Sequence, residues 1–408
     1  MLKYLQSCKS ILRNVGDVKV NIVMGNQACD ADSIISSLCY AYLMSCKSTN
    51  SNIAYVPAAS ILRSDVHFRR EVQILLQTVN LSLAEIICLE ECPLEELSQR
   101  GLLALTLADH NDLPPHLHAK YGANVVEIID HHIDKGHYSW IPSECRNIAF
   151  DASTQKASSG STCTLVAEEY YKVMENVQSS DLLTQDIATL LMGVITLDTI
   201  NMDPVAGIGT ERDSRILCAL SEISPHSRDD LFEKLRGAKL DPVFWRELSA
   251  SDALRMDFKL FSGNCHSEEE GRQLGQGCVG ISSVLQPVSA FLNKEGVGDA
   301  IRNMIRDFSM DSMVVMSFVH HPQRRREILV CSPSRHYTQS LHEFLCREGN
   351  CRFDLTIMND DQIKAEQLFG MDMSCIVYHQ GSTGASRKQL APDIQLFQDH
   401  FYEANSDV

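Results

Sequence analysis

The chain has 408 residues, 44% of them hydrophobic and 22% charged, enough to bury substantial cores in two domains. A formal net charge of -17 excludes the basic footprint of a general nucleic-acid or anionic-membrane binder, so an anionic substrate has to be held by metals or by a local basic cluster. The 15 cysteines are odd in number, scattered and never spaced C-x-x-C, and read as reduced thiols in the cytoplasm.

Residues 1–16 carry Lys3, Lys9 and Arg13 without an acid, which predicts a short amphipathic helix, with a mitochondrial presequence as the alternative. From there short β-branched runs alternate with helical patterns, the signature of βαβ units in a mostly parallel sheet flanked by helices. The expected strands are Lys19–Met24, Leu102–Leu107, Val125–Ile129 and Gly193–Leu197. Pro, Gly and charge mix over Asp203–Pro242, which places the connection near residues 220–235 and divides the chain into domains 1–225 and 226–408. The second, smaller domain reads as mixed α/β, with strands at Gly277–Val284, Met313–Phe318, Glu327–Cys331 and Met373–His379 and helices at Val288–Arg306 and Thr338–Arg347. Glu403–Val408 reads as a frayed tail, and no apolar run approaches the roughly 18 residues of a membrane span.

Each expected strand of the first domain ends in a polar cluster. Lys19–Met24 runs into Gly25-Asn26-Gln27-Ala28-Cys29-Asp30-Ala31-Asp32-Ser33, and Leu102–Leu107 into Ala108-Asp109-His110-Asn111. Val125–Ile129 ends in Asp130-His131-His132, and Gly193–Leu197 in Asp198-Thr199. In an open parallel sheet ligands bind outside the carboxyl ends of the strands, so these acids are expected to converge there. Adjacent carboxylates raise one another's pKa unless cations lie between them, and a set of carboxylates with imidazole and no thiolate suits Mg²⁺ or Mn²⁺. A single Asp at a strand end is equally well a helix cap; four such ends with an Asp-His-His triplet point to a metal centre. His110 and His137 are left as surface residues, as is the run Arg324-Arg325-Arg326. Gly160-Ser161-Thr162, before an apolar helical pattern, can be an anion-binding helix amino end or a plain cap.

At these residues the sequence resembles the DHH phosphoesterase superfamily. G-N-Q-A-C-D-A-D-S, L-A-D-H-N, I-I-D-H-H and T-L-D-T-I resemble its four motifs in order. No glycine-rich G-G-G-H motif of the nucleic-acid-cleaving members occurs. Gly384-Ala385-Ser386-Arg387-Lys388-Gln389 and Met256-Asp257-Phe258-Lys259 instead resemble the S-R-K and D-x-K elements of the branch containing family II pyrophosphatases, eukaryotic exopolyphosphatases and the prune proteins, with motif I most similar to prune. Family II pyrophosphatases have a metal-binding histidine where this chain has Asn26.

The resemblance implies two divalent ions, Mn²⁺ or Mg²⁺, in one active site. Asp30 would bind the first, Asp32, His131 and Asp198 the second, with Asp109 bridging and Asn26 a neighbour of the first. His132 would touch a phosphate or protonate the leaving oxygen, Asp130 would orient a histidine, and Lys259, Arg387 and Lys388 of the second domain would grip phosphate. Metals on one domain and cations on the other imply an active site in a cleft between them, closing over substrate. The implied function is a metal-dependent hydrolase of phosphoanhydride bonds, a short-chain exopolyphosphatase acting on inorganic polyphosphate. The alternatives are a cyclic-nucleotide phosphodiesterase and a regulatory scaffold binding nucleoside diphosphate kinase or signalling proteins.

Overall fold

A computed structural model of the chain describes residues 1–48, 50, 52–177, 182–262, 277–319, 323–347 and 352–404. Two compact units, Met1–Lys239 and Leu240–Val408, make up the chain. The first begins with helix α1 (Leu2–Arg13), whose Leu5 and Cys8 are buried and whose Tyr4 hydroxyl donates to the Tyr55 carbonyl at 2.8 Å. The amphipathic pattern of residues 1–16 is therefore part of the core.

The chain then runs through β1 (Lys19–Met24), α2 (Ala31–Lys47), β2 (Ile53–Ala58), α3 (Arg70–Thr78), α4 (Leu94–Gln99), β3 (Leu103–Ala108), α5 (Pro115–Tyr121), β4 (Val125–Asp130) and β5 (Arg146–Ile148). A ribbon of β6 (Phe150–Asp151) and β7 (Lys156–Ala157) leads to helices α6 (Thr162–Val177), α7 (Gln185–Asp198), α8 (Glu211–Ile223) and α9 (Arg228–Lys239). All five long-sheet strands are parallel, in the order β2-β1-β3-β4-β5. Every residue of β3 and all but the first of β1 is buried, because helices cover both faces; such strands read as continuous apolar runs. The connections leave β1 in one direction and β3 in the other, so a crevice opens at their carboxyl ends, the switch point of a doubly wound sheet.

One expected strand is helical. Gly193–Leu197 lies within α7, which is buried continuously from Ile187 to Thr196 and capped by the Thr184 side chain accepting the Ile187 N–H. A helix buried all round has no polar stripe, and a five-residue apolar window of it cannot be told from a buried strand. The units also divide later than residue 225. Buried Leu231, Phe232 and Leu235 on α9 pack the end of the mixed-composition stretch into the first unit, where Leu231 and Leu235 lie against Gly193 of α7.

The second unit opens with α10 (Pro242–Glu247) and α11 (Ala250–Arg255) and continues with β8 (Phe258–Ser262), β9 (Cys278–Val284), α12 (Val288–Leu292), α13 (Val297–Asp307), β10 (Ser312–Val319) and β11 (Arg325–Ser332). It ends with α14 (Arg335–Leu345), β12 (Leu355–Ile357), α15 (Asn359–Phe369), β13 (Ser374–Gln380) and α16 (Arg387–Ala404). Its six described strands are ordered β12-β13-β11-β10-β9-β8, mixed in direction, with β9 and β10 parallel. The single helix expected over Val288–Arg306 is two, interrupted before Gly296, whose φ of 69° breaks the helical path. The expected tail at Glu403–Val408 lies mostly outside the described residues.

Candidate metal centre

The loop leaving β1 lies flat against the first turn of α2. A Cβ at Gly25 would come within 2.6 Å of Ser33 Oγ, so the position requires glycine. The Asn26 N–H donates to that hydroxyl at 2.5 Å, and its side-chain Oδ1 accepts the N–H groups of Ala28 (2.8 Å) and Cys29 (3.2 Å). Its Nδ2 crosses the switch point to Asp109, donating to Oδ2 at 2.6 Å and to the carbonyl at 3.1 Å. The Asn26 amide oxygen is thus committed to the loop, and the amide N–H groups orient Asp109. Asp30 caps α2 by accepting the Ser33 N–H at 3.1 Å.

Asp32, in the first turn of α2 and 3% exposed, accepts the Ser161 hydroxyl (3.0 Å) and the N–H groups of Thr162 (2.8 Å) and Cys163 (3.0 Å). The anion at the amino end of α6 is therefore an internal carboxylate. Gly160 donates its N–H to Asp213 Oδ2 at 2.8 Å. Asp213, fully buried, also accepts from Ser159 Oγ (2.9 Å), Thr164 Oγ1 (2.6 Å), and the N–H and hydroxyl of Thr210 (2.8 and 2.7 Å). Sequence reasoning passed over Asp213; its one signal is the capping-box spacing of Thr210 and Asp213 at the start of α8.

Asp109 follows β3 with a φ of 64°, a left-handed turn that Asp tolerates, and its Oδ1 accepts the Thr162 hydroxyl at 3.2 Å. His131 Nδ1 stands 3.0 Å from the Ser159 carbonyl, which only accepts, so Nδ1 carries a proton and Nε2 faces the acids. That Nε2 lies 3.6 Å from Asp109 Oδ1 and 3.9 Å from Asp32 Oδ2, too long for hydrogen bonds and suited to donors sharing one ion about 2 Å away. His132 Nδ1 is 2.8 Å from Asp130 Oδ1 and 3.6 Å from Asp109 Oδ1. Burial alone would raise the pKa of Asp130, but the His132 and His131 imidazoles and the Asn111 amide (2.6 Å) hold it well below the usual carboxylate range. Asp109, His131 and His132 form one group whose donor atoms all lie within 4.8 Å of one another.

Asp198 ends α7, where the helix dipole presents its negative pole. Burial and the nearby Asp32 and Asp30 push its pKa well above the usual range, and its Oδ2 has no hydrogen-bond partner among the described residues. Burial, with Asp30 adding, likewise pushes Asp32 up to about 6, although the Thr162 and Cys163 N–H groups pull it down. An orphaned carboxylate oxygen beside a second strained carboxylate, with an imidazole nitrogen facing the same acids, fits bound divalent cations.

In the second unit, Arg387 at the start of α16 donates to the Asp257 carbonyl (2.8 Å) and to Asp257 Oδ1 (2.6 Å). The S-R-K and D-x-K elements, far apart in sequence, are thus tied together, and much of the Arg387 fork is spent on that tie. Lys388 is exposed and Lys259 half-buried on β8. The expected surface arginines on β11 are mixed: Arg325 pairs with buried Glu327 at 2.7 Å, while Arg326 lies over Phe318 and donates to the Thr383 carbonyl.

Residues 21–195 match the DHH family N-terminal domain and residues 243–397 the DHHA2 domain, and the chain belongs to the DHH phosphoesterases. Over its whole length it is 29% identical to exopolyphosphatase PRUNE1 of Bos taurus, covering 81% of that protein. Against the Homo sapiens exopolyphosphatase PRUNE1 it is 28% identical, over 97% of this chain and 79% of the relative. A Methanococcus jannaschii protein described as a family II inorganic pyrophosphatase shares the fold, with a TM-score of 0.60 at 20% identity, covering 93% of this chain and 99% of that one.

Proposed function

We propose that the chain is a divalent-metal-dependent exopolyphosphatase that hydrolyses terminal phosphoanhydride bonds of short inorganic polyphosphate. The observation that carries this reading is the convergence of Asp32, Asp109 and His131 Nε2, together with an Asp198 oxygen that has no hydrogen-bond partner among the described residues. The names of the two exopolyphosphatase relatives support the choice of substrate.

In this reading Asp32, Asp109, His131 and Asp198, with Asp30 at the edge, hold two ions, Mn²⁺ or Mg²⁺. Such ions supply charge neutralisation at the phosphoryl oxygens and a water acidified toward neutral pH. The protein does the rest. Asn26 and Thr162 fix the two Asp109 oxygens, and Ser159 fixes the His131 tautomer. His132, held through Nδ1 by Asp130, hands a proton from Nε2 to the departing phosphate oxygen. Lys259, Arg387 and Lys388 are assigned to phosphate contact, Lys388 most directly because its charge is exposed. Free thiols at all thirteen described cysteines support a reducing, cytoplasmic setting.

The test is phosphate release from pyrophosphate, tripolyphosphate, longer polyphosphate and cyclic AMP, each with Mg²⁺ and with Mn²⁺. Tripolyphosphate should be the fastest and should fall silent in chelator. Cyclic AMP outpacing every inorganic polyphosphate would replace this reading with the phosphodiesterase one.

A further inference from the structure

Beyond the four motifs, a second set of side chains able to bind metal lies on the segments that follow β3 and β4: Asp112 in the loop after β3, His118 on α5 and His137 in the loop after β4. The Nδ1 atoms of His137 and His118 both turn on one oxygen, Asp112 Oδ1, at 2.8 and 3.6 Å. Donor atoms of all three residues lie within 4.8 Å of one another. His118 Nδ1 also stands 3.0 Å from the Tyr138 hydroxyl, so a cation here would take that nitrogen in place of its hydrogen bond.

We propose that Asp112, His118 and His137 form a further cation site that takes a borderline transition metal such as Zn²⁺. Two imidazoles and one carboxylate suit Zn²⁺, Co²⁺ or Ni²⁺ better than Mg²⁺ or Ca²⁺, which prefer oxygen. Ligand distances of about 2.0–2.2 Å in a tetrahedron put neighbouring donors roughly 3.4 Å apart, and the observed 2.8 and 3.6 Å bracket that spacing. The side chains of His137, His118 and Asp112 are 48%, 43% and 35% exposed, so an ion reaches them from solvent and rings can rotate to close the remaining gap. Three ligands leave a fourth position for water.

The backbone holding these ligands is already assembled. Asn111 links the two loops, donating to the Ile133 carbonyl at 2.9 Å and accepting the Lys135 N–H at 2.9 Å, and Arg146 donates to the His137 carbonyl at 2.8 Å. The same Asn111 amide donates to Asp130, which holds His132. An ion at this site would clamp the two segments whose other ends carry Asp109 and the His131-His132 pair.

The full chain, stripped of metal and supplied with excess Mg²⁺, is titrated with Zn²⁺ by equilibrium dialysis. The His137→Gln and His118→Gln variants should each bind one Zn²⁺ fewer per chain than the parent while keeping Mg²⁺-supported hydrolysis. In the unaltered chain, one equivalent of Zn²⁺ should shift the ring proton resonances of both His118 and His137, a readout independent of how the variants fold. Equal Zn²⁺ binding in parent and variants, or zinc that leaves both resonances unmoved, would overturn the site.

Discussion

The Asp32 carboxylate accepts the Thr162 backbone N–H at 2.8 Å, which seats an acid from α2 on the amino end of α6. That contact stabilises the charge from one side only. On the other side stand His131 and the neighbouring Asp30 and Asp198, so the metal-free centre holds more negative charge than its donors offset.

Asp32→Asn and Asp109→Ala should each lower divalent-dependent phosphate release by roughly a hundred-fold or more, with far-UV circular dichroism unchanged. Asp198→Asn should separate function from stability. It removes a buried charge at the negative pole of α7, so the metal-free Tm should rise while activity is lost. A fall in the metal-free Tm would show that the Asp198 charge is satisfied without a cation.

Stability in chelator should depend on pH in a stated direction. The folded pKa of Asp32 is raised from 3.8 to about 6, and that of Asp198 is also raised, so the folded state binds more protons than the unfolded one. This contribution is present below pH 3.8 and is lost as pH rises through about 6 and beyond. Thermal melts between pH 4.5 and 8 should show falling Tm without metal and a flatter profile with Mn²⁺. A metal-free Tm that climbs through this range would contradict the sign.

Asp213 touches none of the candidate ligands yet holds Ser159 and Gly160, whose segment positions His131 and Asp32. Asp213→Asn should weaken Mn²⁺ affinity by about 10–100-fold, with turnover largely restored at high Mn²⁺. Calorimetric titration beside kinetics at rising Mn²⁺ separates this positioning role from simple unfolding, which added metal would not repair.

Arg387 and Lys388 should behave differently although they are adjacent. Arg387→Ala removes the tie to Asp257 and should destabilise the second unit by about 1.5–3 kcal/mol, with Arg387→Lys only a partial rescue because a point charge cannot reproduce the fork. Lys388→Ala, exposed, should leave the Tm alone and raise KM for tripolyphosphate. Unchanged kinetics in Lys388→Ala would return that residue to the solvated surface.

Short-range pattern alone determined the parallel strands β1, β3 and β4, the clusters at their ends and the residue types suited to a divalent centre, because buried strands and loop acids are written in runs of five to ten residues. Asp198 was legible as a candidate, but its setting was not: an apolar window of α7 has no period that distinguishes helix from strand, and only packing against α8 and α9 decided it. The tertiary structure likewise decided that Ser161–Cys163 holds the Asp32 carboxylate and that Asn26 turns its amide N–H groups to Asp109. It also joined Arg387 to Asp257 and gathered Asp112, His118 and His137. Apart from the neighbouring Asp112 and His118, these are residues too far apart in sequence for any local periodicity to relate, so their meeting depends on strand order and helix packing rather than on spacing.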